Sequence, residues 1–582
     1  MTGEAQHPYD GDSQGSGDEF DEVDSPARVI QPGEVVKAWD KLFNQGVYRT
    51  EHLLFCSRTA GVELSALHPP QAQIFRLWQL YLENIDPLLK LTHTPTLQAR
   101  IIDAASDVTR IEPNLEALMF AIYCMAITSL NQEQCQAMFG TPRGDILRGY
   151  QLGAREALLN CGFLKCNNRE CLTALHLYLI SLKPETDPRS LSSMLGTAVR
   201  IAQRMGIDTE AVNAKYSVLE SELRRRLWWS LVLFDSRIAE MTDFKTATLI
   251  PTWDCRTLQS VNDFSLRNEM KIAPAESANT SEALFTVVRS KIGDFTRHSP
   301  SHLDFVNPLM KKFVEKASAT SFSELKDISA FESSLESKYL VQCDPQNPLH
   351  FITIWWARMF LAKARFAHHL ATRSPNPEHE TDEKREAGLT HARAMLECDT
   401  MLMSSPLIEG FRWIIYLHFP FPAYVHLTQD LKLRPLSDQA DLTWQVMSDS
   451  CSARFMAINT KDSPMETTPK NPFFAIFAGV ILQAWAAREA ASIHSEPPWI
   501  VTQIKQRMVR MDQGAAEPPH EFAESDGGIP YASEHVDLGS LDSVYASTGS
   551  FPMASTEAPL SFDNMQWSWP APNWGSMPGQ GW

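Results

Sequence analysis

The sequence predicts an all-α protein: a large multi-helix body carried between two disordered acidic tails. Three observations predict it. Apolar residues return at helical spacing through most of the chain from about Val36 to Gln513. Alternation of the strand type, with hairpin turns, is nearly absent. Acids crowd both ends, while 44% hydrophobic and 21% charged residues over 582 positions leave ample apolar surface for a core.

The leader, residues 1–35, is rich in Gly, Ser, Asp and Glu and cannot bury enough surface to offset its ordering entropy. Residues 1–27 carry eight acids and no Lys or Arg, and residues 511–582 carry ten acids and again no base. The remaining span, 28–510, balances 52 acids against 52 bases, so the formal charge of -18 belongs wholly to the tails. A neutral body between acidic tails disfavours a mainly electrostatic grip on nucleic acid or on an anionic membrane. Met1 is followed by Gly, Asp and Ser rather than a basic-then-apolar address, so no secretory signal is read.

Within the body, Leu115–Leu130 is apolar nearly all round and predicts a buried helix. Ten cysteines lie between Cys56 and Cys451 without a C-x-x-C pair. The closest group, Cys161, Cys166 and Cys171, has the spacing of one helix or loop stripe rather than a zinc knuckle, and free thiols are expected. In Leu191–Met205 the apolar set Leu191, Met194, Leu195, Ala198, Ala202 and Met205 follows a helical period, with Ser190 as the expected cap and Gly206 as the left-handed stop. In Glu220–Phe244, Leu223, Leu227, Leu231, Phe234 and Ile238 form one face, widened by Trp228 and Val232. Glu220 with Arg224 and Glu222 with Arg226 stand four apart in the favourable order. Read by spacing alone, Arg224–Arg226 is a solvated, ion-paired turn ahead of a phosphate grip. Arg373–Lys384 and His298–His302 read as surface loops. Phe473–Leu482, extendable to Ala487, falls short of the ~20 residues of a membrane span and reads as a buried helix.

At Arg224–Glu240 the pattern resembles the signature helix of the middle homology region of fungal-specific transcription factors, the large regulatory domain of zinc-cluster regulators. Met194–Ile207, with Gly196, Arg200 and Gly206, is similar to that family's preceding helix. The entry segment also fits, from His68-Pro69 through Leu77-Trp78, Tyr81 and Asn84–Leu88 to His93–Thr96. Less specific likeness continues at Cys343–Phe351, Trp355–Phe366, Phe411–Trp413 and Phe419–Ala423. The resemblance covers roughly residues 66–490. It implies a leader over 1–35, a helical regulatory domain over 36–513 with its signature part at about 66–270, and a tail over 514–582. Its signature residues map onto Gly196, Arg200, Gly206, Arg224, Arg225, Arg226, Trp228, Trp229, Asp235 and Arg237.

The sequence departs from the family in two places. After the signature helix, Leu258–Asp263 keeps only the Asn and the Asp of the family's loop. The six-cysteine cluster through which such regulators bind DNA has no counterpart here: no cysteine precedes Cys56 and no base precedes Arg28. The resemblance therefore implies no cofactor in this chain, with zinc entering only through a cluster on an upstream segment. It implies DNA contact supplied by such a segment or by a partner, and the chain as written is expected not to grip DNA itself. Other regulators or coactivators, a homodimer or a heterodimer are the implied partners, with no membrane. Nuclear location also rests on the resemblance, since no Lys/Arg run of import length is present.

The expected function is transcription regulation of a metabolic or secondary-metabolite pathway. In the tail, acids keep Phe562, Trp567, Trp569 and Trp574 solvated and available to a partner groove, the composition of an activation segment. His418, Tyr424 and His426, beside Pro-broken aromatic sequence, are candidate pocket residues for a small effector. A second reading is a non-DNA-binding partner of such regulators. A third is a metal-dependent helical enzyme, resting on Asp18–Glu22 and on Asn262, Asp263, Ser265 and Glu269, whose spacing misses a diphosphate–magnesium motif by one residue. No phosphate loop, zinc-protease or serine-hydrolase motif is present.

Overall fold

The computed structural model describes residues 62–514 apart from 183–185, 242–248, 250–251, 271, 276–280, 300, 302–323, 373–380, 457–471 and 493–495. The leader, residues 36–61 and the Trp-containing tail with Phe562, Trp567, Trp569 and Trp574 lie outside the described residues, as does the Asp18–Glu22 stretch. Among the described residues every regular element is helical and no strand occurs. The all-α expectation holds.

We number the longer helices α1 (Gln71–Asn84), α2 (Thr94–Ser106), α3 (Pro113–Thr128), α4 (Arg143–Asn160), α5 (Arg169–Leu182), α6 (Pro188–Arg204), α7 (Val218–Ala239), α8 (Leu284–Thr296), α9 (Glu324–Leu335), α10 (Pro348–Thr372), α11 (Asp382–Ser404), α12 (Phe421–Leu433), α13 (Ala440–Met456), α14 (Pro472–Ala491) and α15 (Trp499–Gly514). Central to the first core is α3. Every residue from Ala117 to Ile127 is buried, because α1, α4 and α5 pack around it. The close approach of α4 is set by Gly153, where a β-carbon would stand 2.5 Å from the Phe120 ring.

The first core runs from Leu64 to Leu417 and takes the apolar faces of α1 to α8 with the first half of α10. The second gathers Leu389, Tyr424, Trp444, Phe477, Trp485 and Ile500 from α11 to α15. Helix α10 is long enough to serve both. Its Ile352–Leu361 stretch enters the first core, and Ala362 and Phe366 enter the second. Helix α11, packed along it, does the same in reverse, with Leu389 in the second core and Leu402 in the first. The dispersed family motifs thus converge in space. Trp413 donates its indole N–H to the carbonyl of Asn84 at 3.0 Å, across 329 positions.

The cap of α6 differs from expectation. The helix opens at Pro188, and Asp187 rather than Ser190 accepts the free amide of Arg189 at 2.8 Å. An acid followed by a proline supplies both a cap and a preset first residue, so the helix starts earlier. It ends as expected, with Gly206 at φ 66° and the Ile207 amide donating to Ala202. Asp382–Lys384, expected in a loop, begins α11 under a Thr381 cap. Helix α14 covers the apolar Phe473–Leu482 run and packs on α12 and α15. No helix among the described residues is long and apolar enough to cross a membrane.

Gly149 and Gly153 lie one turn apart on α4, and only the second meets a neighbour. Gly153→Ala is expected to lower unfolding free energy by about 1–3 kcal/mol through overpacking, and Gly149→Ala to raise it by about 0.5–1 kcal/mol. Urea denaturation of the two variants checks the opposite signs.

Candidate regulatory site on the signature helix

Successive residues of a helix are rotated by about 100°, so three arginines in a row cannot all face solvent on a helix packed on both sides. At least one must turn inward, and an inward guanidinium needs a buried anion. Ser217 fixes the phase by accepting the Glu220 amide at 3.3 Å, which starts α7 at Val218. Leu223, Leu227, Leu231, Phe234 and Ile238 are then buried, and Trp228 and Trp229 are enclosed as well.

The solvated turn read from spacing is corrected by this packing: Arg224 and Arg226 are buried and Arg225 is half-buried. Arg224 donates to the Asn213 side chain at 2.9 Å and to the Met205 carbonyl at 2.5 Å, with its guanidinium 4.1 Å from the centre of the Tyr216 ring. The expected Glu220–Arg224 pair does not form, because Glu220 turns to Arg169 at 3.0 Å. Arg225 pairs with Glu210, its Nε 3.1 Å from the carboxylate. Arg226 keeps the expected Glu222, at 3.4 Å, and adds Asp263 at 2.6 Å.

Asp263 extends the chain of charges. Its second oxygen lies 3.2 Å from the Lys90 ammonium, which also reaches Asp86 at 2.8 Å and Glu282 at 3.1 Å. Thr92 donates to Asp86 at 3.2 Å, and the His93 ring meets the Asp263 carbonyl at 2.9 Å. Three segments far apart in sequence (Asp86–His93, α7 and Asn262–Glu282) are joined by one buried network. Burial opposes the charge of Arg226, but Asp263 and Glu222 outweigh it and hold its pKa above the ordinary value. Burial likewise opposes the Asp263 carboxylate, and Arg226 and Lys90 overcome it, leaving its pKa below the usual range. For Glu222 burial wins over Arg226 and Arg225, and its pKa is raised.

The remaining signature residues serve position. Trp229 donates to the Arg256 carbonyl at 2.7 Å and so holds the loop after α7, and Trp228 meets Trp253 edge to face at 5.7 Å. Arg237 caps the Leu417 carbonyl and pairs with Glu240, each at 2.5 Å. Asp235 is buried, Gly196 is partly covered within α6, and Arg200 stands exposed. A cleft of about 620 Å³ opens beside this framework, lined in part by Arg225, Asp254, Arg256, Lys291, Asp294 and Arg297.

The three candidate pocket residues do not converge. Tyr424 is fully buried in the second core, stacked on Phe419 at 5.6 Å. His426 packs on Phe366 there, whereas His418 meets Trp356 of the first core. Asp263, the one acid of the magnesium motif drawn into the interior, faces two cations. No cluster able to hold a metal occurs among the described residues. The Cys161, Cys166 and Cys171 thiols are free, in keeping with the reading from spacing.

Lys90, Asp86 and Glu282 were not singled out as site residues from sequence, and Asp263 was weighed only as a magnesium ligand and as a retained loop acid, not as the partner of Arg226. The usable signal was the arginine run itself, whose inward member required an acid. What the structure defines is a helical body in which Arg224, Arg225, Arg226 and Arg237 of the signature helix are committed to internal partners, while Arg200 on α6 is exposed.

The same class emerges from comparison with known proteins. The family model described as the fungal specific transcription factor domain matches residues 78–311. The chain is 46% identical over 539 residues to the transcriptional regulator AacuB of Aspergillus aculeatus, covering 91% of this chain and 72% of that protein. It is 40% identical over 589 residues to the transcriptional regulator nsrM of Aspergillus novofumigatus, covering 97% and 79%. The aurofusarin cluster transcription factor aurR2 of Gibberella zeae is 29% identical over 444 residues, or 75% and 64%. The chain belongs to the fungal-specific transcription factor family, and it is a transcription regulator. Its printed sequence contains no six-cysteine zinc cluster.

The pKa directions fix the sign of two isosteric changes at neutral pH. A depressed folded pKa means that ionised Asp263 stabilises the fold, a contribution lost as pH falls through the folded value. A raised one means that the Glu222 carboxylate is held at a cost above its unfolded pKa. Asp263→Asn is therefore expected to cost about 3–5 kcal/mol, as for a broken buried ion pair. Glu222→Gln is expected to stay within about 1 kcal/mol of the parent. Chemical denaturation at pH 7 compares them.

Proposed function

We propose that this chain regulates a fungal biosynthetic gene cluster from the nucleus and reaches promoters through protein contacts. The observation that carries the reading is the engagement of Arg224, Arg225 and Arg226 with Asn213, Glu210, Glu222 and Asp263. A signature helix whose cations are spent inside the fold has none to offer a phosphate backbone, and the body as a whole carries no excess base. The name of the aurofusarin cluster factor supports the pathway class, and the names of AacuB and nsrM support the regulatory role. Gly196, Gly206, Trp228, Trp229, Asp235 and Arg237 act in positioning, while exposed Arg200 on α6 is available to a partner.

In this reading the chain acts as a homodimer or a heterodimer, and DNA contact comes from a partner regulator or from a segment beyond this sequence. The tail carries activation: acids hold Phe562, Trp567, Trp569 and Trp574 in water until a coactivator groove buries them.

Two outcomes are expected. The purified 582-residue chain does not select a cluster promoter over random duplex in a shift assay at physiological salt, whereas a complex isolated from nuclear extract does. Fused to a foreign DNA-binding domain, residues 514–582 activate a reporter, and replacing Trp567, Trp569 and Trp574 by Ala lowers that activity by roughly fivefold or more, as loss of aromatic anchors does. Site-selective binding by the chain alone, or undiminished activation by the Ala variant, contradicts the reading.

A further inference from the structure

The cleft beside α7 carries more positive than negative charge. Arg225, Arg256, Lys291 and Arg297 line it against Asp254 and Asp294, an excess of two bases in a body that is neutral as a whole. Counting Glu210, the counter-ion of Arg225, still leaves an excess of one. The walls are firmly set. Helix α8 approaches α7 at Gly293, where a β-carbon would stand 3.0 Å from the Trp229 ring, and Trp229 also holds the Arg256 carbonyl.

The four cations are not committed alike. Arg225 spends its fork on Glu210, through Nε at 3.1 Å and Nη2 at 2.5 Å. Arg297 donates to Asp294 and to the Trp253 carbonyl, each at 2.9 Å. Asp254 is also engaged, accepting the Glu210 amide at 2.7 Å. Lys291 differs. Its ammonium donates to the neutral Thr257 hydroxyl at 2.6 Å, and among the described residues no carboxylate pairs with it. The Arg256 side chain is 77% exposed, and the acid it reaches is the same Glu210, at 3.8 Å, already held by Arg225.

Lys291 on α8 and Arg256 on the loop after α7 thus face one cavity from two elements, each with charge to spare. A carboxylate would bring one charge to two cations. A phosphate monoester brings close to two, with three strong acceptor oxygens, and an ammonium holds phosphate as a point charge without a fork. The Thr257 hydroxyl, which accepts from Lys291, keeps its own proton to donate to a phosphate oxygen. The remaining lining suits an organic body. Tyr216 is 47% exposed although the Arg224 guanidinium lies 4.1 Å from its ring centre, and Val218 and Leu258 add apolar surface. The volume, about 620 Å³, lies within the range of small-molecule sites.

We propose that this cleft binds a small organic phosphate monoester, with Lys291 and Arg256 holding the phosphate, Thr257 as a further donor and Tyr216 against the organic body. A ligand seated there bridges α8 to the loop that Trp229 anchors, so its binding stabilises the packing of the signature helix. The proposal concerns a small ligand and does not rest on how the chain reaches DNA.

The test uses the full 582-residue chain with three probes, AMP, glucose 6-phosphate and 1-naphthyl phosphate, by isothermal titration and thermal shift at neutral pH. Adenosine, glucose, 1-naphthoate, inorganic phosphate and a random duplex are the comparisons. At least one ester is expected to bind saturably with one-to-one stoichiometry and to raise the melting temperature, while its phosphate-free counterpart does not. Binding should weaken as pH falls below about 6, where a monoester takes up its second proton. Lys291→Met is expected to weaken that ester by at least about tenfold, the size of one lost hydrogen bond to a charged group. Arg256→Gln, at an exposed side chain whose loss leaves the fold intact, should weaken it as well. Lys432→Met, the same change of charge at an exposed position on α12, should leave binding as in the parent. Absence of saturable binding by all three esters overturns the proposal, as does binding unchanged in both Lys291→Met and Arg256→Gln. Equal binding of an ester and its phosphate-free counterpart, 1-naphthoate binding as tightly as 1-naphthyl phosphate, preference for inorganic phosphate, an equal loss in Lys432→Met, or displacement of the ester by the duplex does so equally.

Discussion

Arg226 and Asp263 meet at 2.6 Å in the interior, and three separate parts of the chain depend on that contact. Two charges taken out of water are costly, and the cost is offset only when each is further bonded. Here each is. Glu222 supports Arg226 from one turn away, and Lys90 supports Asp263 while it is itself held by Asp86 and Glu282. The outcome is directional in a way that apolar packing is not. A slipped α7 would strand an arginine in the core, so the network selects one register of the signature helix. Trp229 and Arg237 then carry that register outward, to the loop at Arg256 and to the turn at Leu417.

The partition of charge follows the same logic at larger scale. Within the body, residues 28–510, acids and bases balance at 52 each, and the buried bases Lys90, Arg226 and Arg454 each meet an internal acid. The surplus acids are confined to the two ends, where no cation waits for them. A regulator built this way has a rigid, electrically neutral frame and acts through surfaces and tails. Arg289 departs from the pattern: a core cation with aromatic neighbours and no acid.

Much of the helical architecture was legible in the sequence because burial on α3 and α7 leaves a simple periodic trace. Leu223, Leu227 and Leu231 are where the spacing put them, and Gly206 stops α6 in the left-handed conformation that its position implied. Local chemistry was less legible where two signals competed. Ser190 is a good cap, but Asp187, followed by Pro188, offers a better one three residues earlier. Glu220 had two arginines within reach, Arg224 by helix spacing and Arg169 by tertiary packing, and the second won. The site itself was half legible. The arginine run announced itself, yet its partner Asp263 lies 37 residues downstream and is itself bonded to Lys90, 173 residues away, and pairings at such distance leave no local trace. The pocket sought at His418, Tyr424 and His426 failed for a related reason, since adjacency in sequence across Pro420 sent them into two different cores.

The central claim is that one buried charge network makes the signature helix, the entry segment and the post-signature loop a single cooperative unit. Hydrogen exchange on Arg226→Met tests it most directly. The account predicts that amides of residues 81–97 and 258–266 lose protection together with those of α7, although none is adjacent to the substitution in sequence. Loss confined to the turn of α7 around residue 226, with the other two segments exchanging as in the parent, would contradict it.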